Sequence, residues 1–487
     1  MLRRTSAAGT QPADTGSGSA RPAPTRRAVV VGASMAGLLA ARVLADHFEQ
    51  VLVVERDRLA DAPEHRRGVP QDWQPHLVLG RGRRVIERLL PGYGDELRAA
   101  GAVPMRLPAD LLMLNPCGWV DRRAPGWEAL SASRPLLEAT VRRRLRAEPR
   151  VAVLDGHDVT ALIASPDGRA VTGVTARPVD GPDGAIELDA DLVVDASGRG
   201  SRAVAWLGDL GFAAPAREHI GSGTTYSSRL FRIPDDFAAD WKAVMLTTRP
   251  PSIRRSGSLF AVEGGRWLVT LTGTGGERAP SDEDGWRAYA RSLRDPVLAE
   301  AIEDAEPLSP VRVHRGTSNR RWHFERMRRR PERFVVLGDA ACVFNPVYGQ
   351  GITVAALAAE TLDACLRRRG PAGLDALAGR FQRRLARVTA SPWMQSTGED
   401  LRFPTTTGTR PNALLRAQYR YLDRLGLAVT QDPSVADVCI RVYGMLERPS
   451  ALFGPRLLLA AARARVGDVP AMPPSPPRDA VGAATLP

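Results

Sequence analysis

Gly32, Ser34 and Gly37 follow the apolar run Ala28–Val31, and Glu55 closes a second apolar run, Val51–Val54, 18 residues after Gly37. In a strand–turn–helix with this spacing, the first glycine permits the tight turn and a small second residue lets a pyrophosphate approach the backbone. The third lets helix pack closely on strand. Ser34 stands where a second glycine is usual and is small enough to keep that approach. A helix starting at Met35 and Ala36 aims unpaired N–H groups and a partial positive charge at phosphates. An acid at the end of the second strand can accept hydrogen bonds from ribose hydroxyls. The chemistry is dinucleotide binding, with NAD, NADP and FAD all open at this point.

A second glycine-rich stretch, Phe334–Leu357, narrows the choice. Phe334–Leu337 reads as a buried strand ended by Gly338-Asp339, and Asp339 can bond a ribityl hydroxyl. Pro346 and Tyr348 lie in the loop that follows, and Gly349-Gln350-Gly351 with Ile352 open a helix whose N-terminus can stabilise negative charge at the flavin N1–C2=O edge. Nicotinamide enzymes with one such fold need no second stretch of this kind, so the two together point to FAD.

These residues need a β-α-β unit to position them: strand Ala28–Val31, helix Met35 to Asp46, strand Val51–Val54. Continuous apolar strands of this kind suit a parallel sheet covered on both faces. A helix follows Pro135, with Leu136, Leu137, Val141 and Leu145 on one face. Strands are expected at Val151–Leu154, Val159–Ile163, Ala170–Ala176 and Leu192–Val194, with turns at Asp167-Gly168 and Asp183-Gly184. Gly223–Thr274 is β-rich, with a hairpin turned at Gly264-Gly265. Pro280–Pro310 reads as partly helical and Ala372–Val466 as helices.

The expected fold is α/β: a discontinuous Rossmann-type FAD-binding domain with an inserted β-sheet substrate domain and a C-terminal helical region. The cofactor domain takes residues 27–102, 131–220 and 311–371, the substrate domain 103–130 and 221–310, and the helical region 372–468. Residues 1–26, rich in Gly, Ser, Pro and Ala, read as a disordered tail, and 469–487 as a Pro-rich tail.

With 487 residues the chain has length for a large core. Its net charge of +13 and pI near 10.5 raise nucleic acid as a partner. The excess is almost all arginine, spread in short runs, and only 6% of residues are aromatic, too few for base-stacking platforms. No specific nucleic acid is expected. Cys117, Cys342, Cys365 and Cys439 are scattered without a CxxC pair, which argues against a zinc site or disulfide framework and fits a reducing cytoplasm. No metal is expected, and no apolar run reaches the roughly 20 residues of a spanning helix.

Both glycine motifs, Arg134 in SRPLLEATVRRRL, DASGRGSR from Asp195 to Arg202, and GDA…NPVYGQGI from Gly338 to Ile352 resemble the FAD-dependent class A monooxygenases, the family of aromatic hydroxylases and squalene-type epoxidases. The resemblance covers roughly residues 28 to 370. It implies cofactor contacts at Arg134 and at the arginine of an RxGV segment, Arg66 in RRGVPQ, with Arg67 the competing choice. Arg56 and Val159 complete the expected contacts.

HRRGVPQDWQPHLVLGRGRRVIERLLPG looks closer still to the bacterial polyketide-tailoring branch, with its polyether epoxidase-like and flavin-containing cyclase-like proteins. Members often carry HxH where this chain has Gln74-Pro75-His76. His76 reads as a packed or flavin-edge residue, with general base as the competing role; Tyr348 reads as a turn anchor, with substrate contact competing. Asp195 is expected to support its own loop through local bonds. Met113, Trp119, Trp127 and Tyr226 are expected on the substrate wall.

The implied activity is that of a monooxygenase or epoxidase working through a flavin hydroperoxide, with NAD(P)H as a transient electron donor. Its substrate would be a large hydrophobic polyketide or terpenoid. A redox-neutral FAD-containing cyclase that folds a polyene for cycloaddition is the alternative, and an isoprenoid double-bond reductase a second. An epoxidation needs no phenol-deprotonating base, and the sequence offers no obvious one. A monomer or homodimer is expected.

Overall fold

A computed structural model describes residues 26–181, 184–368 and 373–476. The N-terminal tail apart from Arg26, the Asp183 half of the second expected turn, and residues 477–487 of the Pro-rich end lie outside the described residues.

Five strands form a wholly parallel sheet in the order Phe334–Val336, Leu192–Asp195, Arg27–Val31, Gln50–Val54, Val151–Leu154. Val29, Val30, Val53, Val193, Val194 and Val335 are fully buried in it, because helices and a three-stranded antiparallel sheet, Ile186–Asp189, Val171–Pro178 and His157–Ala164, pack against it and leave no side for polar residues. The helices Met35–Ala45 and Gly351–Arg367 pack on each other, and the buried Ala356, Ala358 and Ala359 keep that contact close. The chain leaves the central strand Arg27–Val31 toward Gln50–Val54 on one side, while Leu192–Asp195 pairs on the other. This is a topological switch point, and ligands bind beyond the carboxyl ends of the strands at such points. Gly32, Glu55, Ala196 and Gly338 all stand at those ends.

A six-stranded sheet faces them, ordered Arg312–His314, Thr225–Arg232, Arg266–Gly273, Arg255–Val262, Ala243–Leu246, Leu111–Leu114. All pairs are antiparallel except the last. Its hairpin turns at Gly264 and Gly265, whose φ values of +73° and +61° suit glycine. Arg312–His314, expected in the cofactor-binding part, instead hydrogen-bonds to Thr225–Arg232 and belongs to this sheet. One face carries Leu259, Ala261, Val269 and Leu271 into a core shared with Trp286 and Leu298 of two short covering helices, Glu283–Arg291 and Val297–Ala301. The period-2 alternation sends the intervening residues to the opposite face.

The C-terminal part is helical as expected. Leu377–Asp400 lies against Gly351–Arg367 and the edge strand Phe334–Val336, burying Leu377 and Phe381. Ala413–Ala428, Pro433–Tyr443 and Pro455–Arg463 enclose a smaller core of Leu425, Val435, Ala436, Leu457 and Ala461. Among the described residues no helix is long and apolar enough to cross a membrane.

Candidate cofactor and substrate site

A cavity of about 830 Å³ runs from the carboxyl edge of the parallel sheet to the inner face of the six-stranded sheet. At its first end Gly32 turns the chain with φ +98°, and a Cβ there would meet the Ala196 carbonyl oxygen at 2.8 Å. A Cβ on Gly37 would lie 1.8 Å from the Gly32 carbonyl oxygen, so the third glycine of the motif is required by helix-on-strand contact. The helix starting at Met35 has no side-chain cap and no acid in its first turn. Its open N–H groups face the cavity, and Gly32, Ser34, Met35 and Ala36 line it. Glu55 is buried beside them, accepting from the Ala33 N–H at 2.6 Å and the Asp57 N–H at 3.0 Å, with lone pairs left for a further donor.

Behind this turn one buried carboxylate organises three arginines. Glu138 accepts from Arg66 at 2.5 Å, Arg134 at 3.1 Å and the Ser34 hydroxyl at 2.9 Å, with Arg142 at 3.6 Å. Burial pushes the Glu138 carboxyl up, but Arg134 and Arg66 outweigh it and hold it below the usual range. Arg134, the first residue of the helix Arg134–Arg146, also donates to Ser34 Oγ at 2.6 Å. Its Nε is buried without a partner among the described residues. A buried guanidinium N–H with no acceptor, beside an uncapped helix start and a glycine cradle, fits the pyrophosphate of a dinucleotide. Arg66 lines the cavity while the exposed Arg67 does not, which separates the two candidates of RRGVPQ by position. Arg56 and Val159 line it as well.

The second motif closes the site from the other side. Gly338, at φ +60°, brings its turn so near the first helix that a Cβ would lie 2.7 Å from the Ala36 Cβ. Asp339 follows in the lining, where burial raises its pKa against the pull of Arg199, Arg134 and Arg320. Pro346, Gly349, Gly351 and Ile352 also line the cavity. Gly349 takes φ +63°, and the 17-residue helix that begins at Gly351 has no side-chain cap. A Cβ on Gly351 would meet nothing within 4 Å, so this helix start opens onto free space. Asp195 stays a loop support, accepting from Ser197 N–H and from the Ser197 and Ser201 hydroxyls.

The register of the six-stranded sheet decides the far wall of the cavity. Tyr226 pairs with Thr272 and Thr272 with Ser256; Ser228 pairs with Thr270, Thr270 with Ser258, Ser258 with Met245 and Met245 with Met113. Ser256, Ser258, Thr270 and Thr272 line the cavity with Tyr226, Met113, Met245 and Phe260. The wall is therefore a band of hydroxyls beside an apolar patch, with Met113 and Tyr226 of the expected residues on it. Trp119 and Trp127, expected on it, do not line the cavity. Trp119 is buried in the core behind the sheet, and Trp127 turns its Nε1–H to the Ile440 carbonyl at 3.2 Å.

His76 lines the cavity with Nδ1 2.8 Å from the Gln74 carbonyl, so Nδ1 carries the proton and Nε2 is the free acceptor. Burial and the neighbouring Arg134 push its pKa down to about 3, which makes it a poor general base near neutrality. Tyr348 also lines the cavity, and its hydroxyl donates to Asp400 at 3.0 Å. Glu399, Asp400, Phe403 and Tyr443 of the C-terminal helical part share the lining. Sequence reasoning did not place Glu138 or Asp400 in the site. Glu138 lies one helical turn after Arg134, a spacing that could have exposed it; Asp400 has no local motif.

No family model matches the sequence. The chain is 32% identical over 435 residues to Protein Rv3254 of Mycobacterium tuberculosis strain H37Rv, covering 87% of this chain and 90% of that protein. It belongs to the Rv3254 family. The architecture of this Rv3254-family protein is shared with solved flavin-dependent enzymes. The flavin-dependent halogenase CmlS matches with TM-score 0.61 at 19% identity, over 87% of this chain and 77% of that one. The Diels-Alderase PyrE3 of pyrroindomycin biosynthesis matches with TM-score 0.58 at 17% identity, over 87% and 81%. Further likenesses are to a flavin-dependent brominase and to monooxygenases. The mixed α/β fold with its parallel sheet is thus the fold of flavin-dependent oxidoreductases.

Proposed function

We propose that this Rv3254-family protein binds FAD and is a monooxygenase or epoxidase acting on a large polyketide or terpenoid, with NAD(P)H as transient electron donor. The observation that carries this reading is the continuity of one cavity from the uncapped Met35 helix start to the inner face of the six-stranded sheet. Dinucleotide cradle and sheet face together bound about 830 Å³, within the size range of small-molecule sites.

Bound flavin would supply redox and oxygen-activating chemistry. The chain's own residues hold and orient. Arg134 Nε and the Met35 helix start would take the pyrophosphate, Glu55 a ribose, Asp339 the ribityl chain, and the Gly351 helix start the electron-rich edge of the ring. Met113, Met245 and Phe260 offer apolar contact to a carbon skeleton, while Ser256, Ser258 and Thr272 can bond its oxygens. That mixture favours a long, partly oxygenated substrate over a pure hydrocarbon.

A redox-neutral cyclase is the second reading, favoured by the likeness to PyrE3. FAD-loaded protein, NAD(P)H, air and a panel of polyketide and terpenoid polyenes separate the readings by product mass. One added oxygen with matching donor consumption supports the monooxygenase. Unchanged mass without donor consumption supports the cyclase and refutes the monooxygenase, and two added hydrogens without oxygen mark a double-bond reductase.

A further inference from the structure

Asp400 ends the helix Leu377–Asp400 and is 1% exposed, yet among the described residues no Arg, Lys or His forms an ion pair with it. Its oxygens accept from Asn319 Nδ2 at 2.6 Å, from Asn345 Nδ2 at 3.0 and 3.2 Å, and from the Tyr348 hydroxyl at 3.0 Å. Both amide orientations are dictated by backbone donors. Asn319 Oδ1 accepts the Asn345 backbone N–H at 2.7 Å and Asn345 Oδ1 accepts the Val347 N–H at 3.3 Å, so each Nδ2 must point at Asp400. The Tyr226 hydroxyl at 2.8 Å and the Ser396 hydroxyl at 2.6 Å complete the acceptors of Asn345 and Asn319. The carboxylate is therefore gripped by neutral donors and has no counter-charge.

The nearby charges do not change this. Arg402 is engaged by Glu399 at 3.6 Å and by Asp423. Tyr226 and Tyr348 both have pKa values raised well above normal, by burial first and Asp400 second, so both hydroxyls stay protonated. Burial lifts Asp400 to about 6 against its hydrogen bonds, which leaves it able to exchange a proton near neutrality. Of the donors gripping it, Tyr348 is the one held by the Pro346–Tyr348 turn, directly before the Gly351 helix start. Tyr348 and Asp400 both line the cavity.

We propose that Tyr348 and Asp400 form a proton-transfer couple serving the cavity, and that the substrate presents an ionisable hydroxyl, an enol or phenol, to Tyr348. The substrate O–H breaks as its proton passes to the Tyr348 oxygen, and the Tyr348 O–H breaks as its proton passes to Asp400. The substrate becomes an oxyanion and Asp400 a neutral acid; no electrons are exchanged, and the reverse steps restore both. Tyr348 touches substrate, and Asp400 is the residue that acts through it. This supplies the base that no sequence motif revealed, and it rests on the cavity being the substrate site rather than on flavin itself.

The probe is p-nitrophenol, titrated into FAD-loaded protein above the Asp400 value of about 6. Visible absorption reports whether the bound probe is phenol or phenolate, and infrared difference spectra report a protonated-carboxyl C=O band. Wild type is expected to bind phenolate with appearance of that band. Asp400→Asn is expected to lose the band, Tyr348→Phe to lose band and bound phenolate together, and Ser396→Ala, which only buttresses Asn319, to behave as wild type. Neutral phenol bound by wild type, a band that survives Asp400→Asn, loss of both signals in Ser396→Ala, or no saturable binding would overturn the couple. FAD content is measured separately, and FAD-free protein is titrated alongside. A protein that takes up no FAD but shows both signals would sink the flavin reading and leave the couple standing.

Discussion

Replacing Glu138 by alanine strands one arginine more than the others. Arg66 would keep Asp57 at 3.4 Å and Glu55 at 3.6 Å, and Arg142 would keep the carbonyls of Ala60 and Ala62 at 2.7 and 3.3 Å. Among the described residues Arg134 would keep only Ser34 Oγ, and its Nε has no partner there to begin with. Removing one member of a buried pair leaves an uncompensated charge and typically destabilises by about 3–5 kcal/mol. With one of three guanidiniums stranded, the loss for Glu138→Ala should fall at the low end, about 3 kcal/mol.

If Arg134 faces the pyrophosphate, saturating FAD supplies a replacement anion, and the loss in the loaded protein should be clearly smaller. Urea unfolding of wild type and variant, each with and without FAD, measures both differences. A loss below about 1 kcal/mol, as for an exposed pair, or an equal loss with and without FAD, would refute the assignment. The pH dependence follows from the same cluster. The folded pKa of Glu138 lies below its ordinary 4.5, so its contribution is complete above that value and is lost as pH falls through the folded pKa. Wild type should therefore lose stability more steeply than Glu138→Ala as pH drops below about 4.5.

Gly37→Ala places a methyl 1.8 Å from a backbone oxygen that cannot give way, and should destabilise by about 3 kcal/mol or more, read as loss of soluble protein and a lowered Tm. Gly351→Ala meets open space and should leave the Tm near wild type while weakening FAD binding, measured by flavin fluorescence. Thr272→Val with Ser256→Ala should weaken binding of an oxygenated polyene by about 0.5–1.5 kcal/mol per lost hydrogen bond. Affinity for a hydrocarbon polyene of equal length should be unchanged, as followed by quenching of the same fluorescence.

What sequence reasoning could reach was set by how local each signal is. The unit from Arg27 to Val54 is legible because buried parallel strands read as unbroken apolar runs and the turn needs glycine at fixed offsets. Asp339 and the Gly349–Ile352 helix start were legible for the same reason. The hydroxyl wall was not, because Ser256, Ser258, Thr270 and Thr272 become one face only once strand register aligns them. Trp119 and Trp127 misled because a large aromatic serves a core behind a sheet as readily as a pocket in front of it. Asp400 lies 52 residues from Tyr348 in the chain, and only the packing of its helix against Gly351–Arg367 brings the two together.

The central claim is that this cavity holds FAD. Purified protein, denatured to release any ligand and analysed by absorption and mass spectrometry, should yield one FAD per chain, and stripped protein should rebind FAD saturably, with Arg134→Ala and Glu55→Ala binding more weakly. Protein that is colourless as isolated and binds no added FAD would contradict the account.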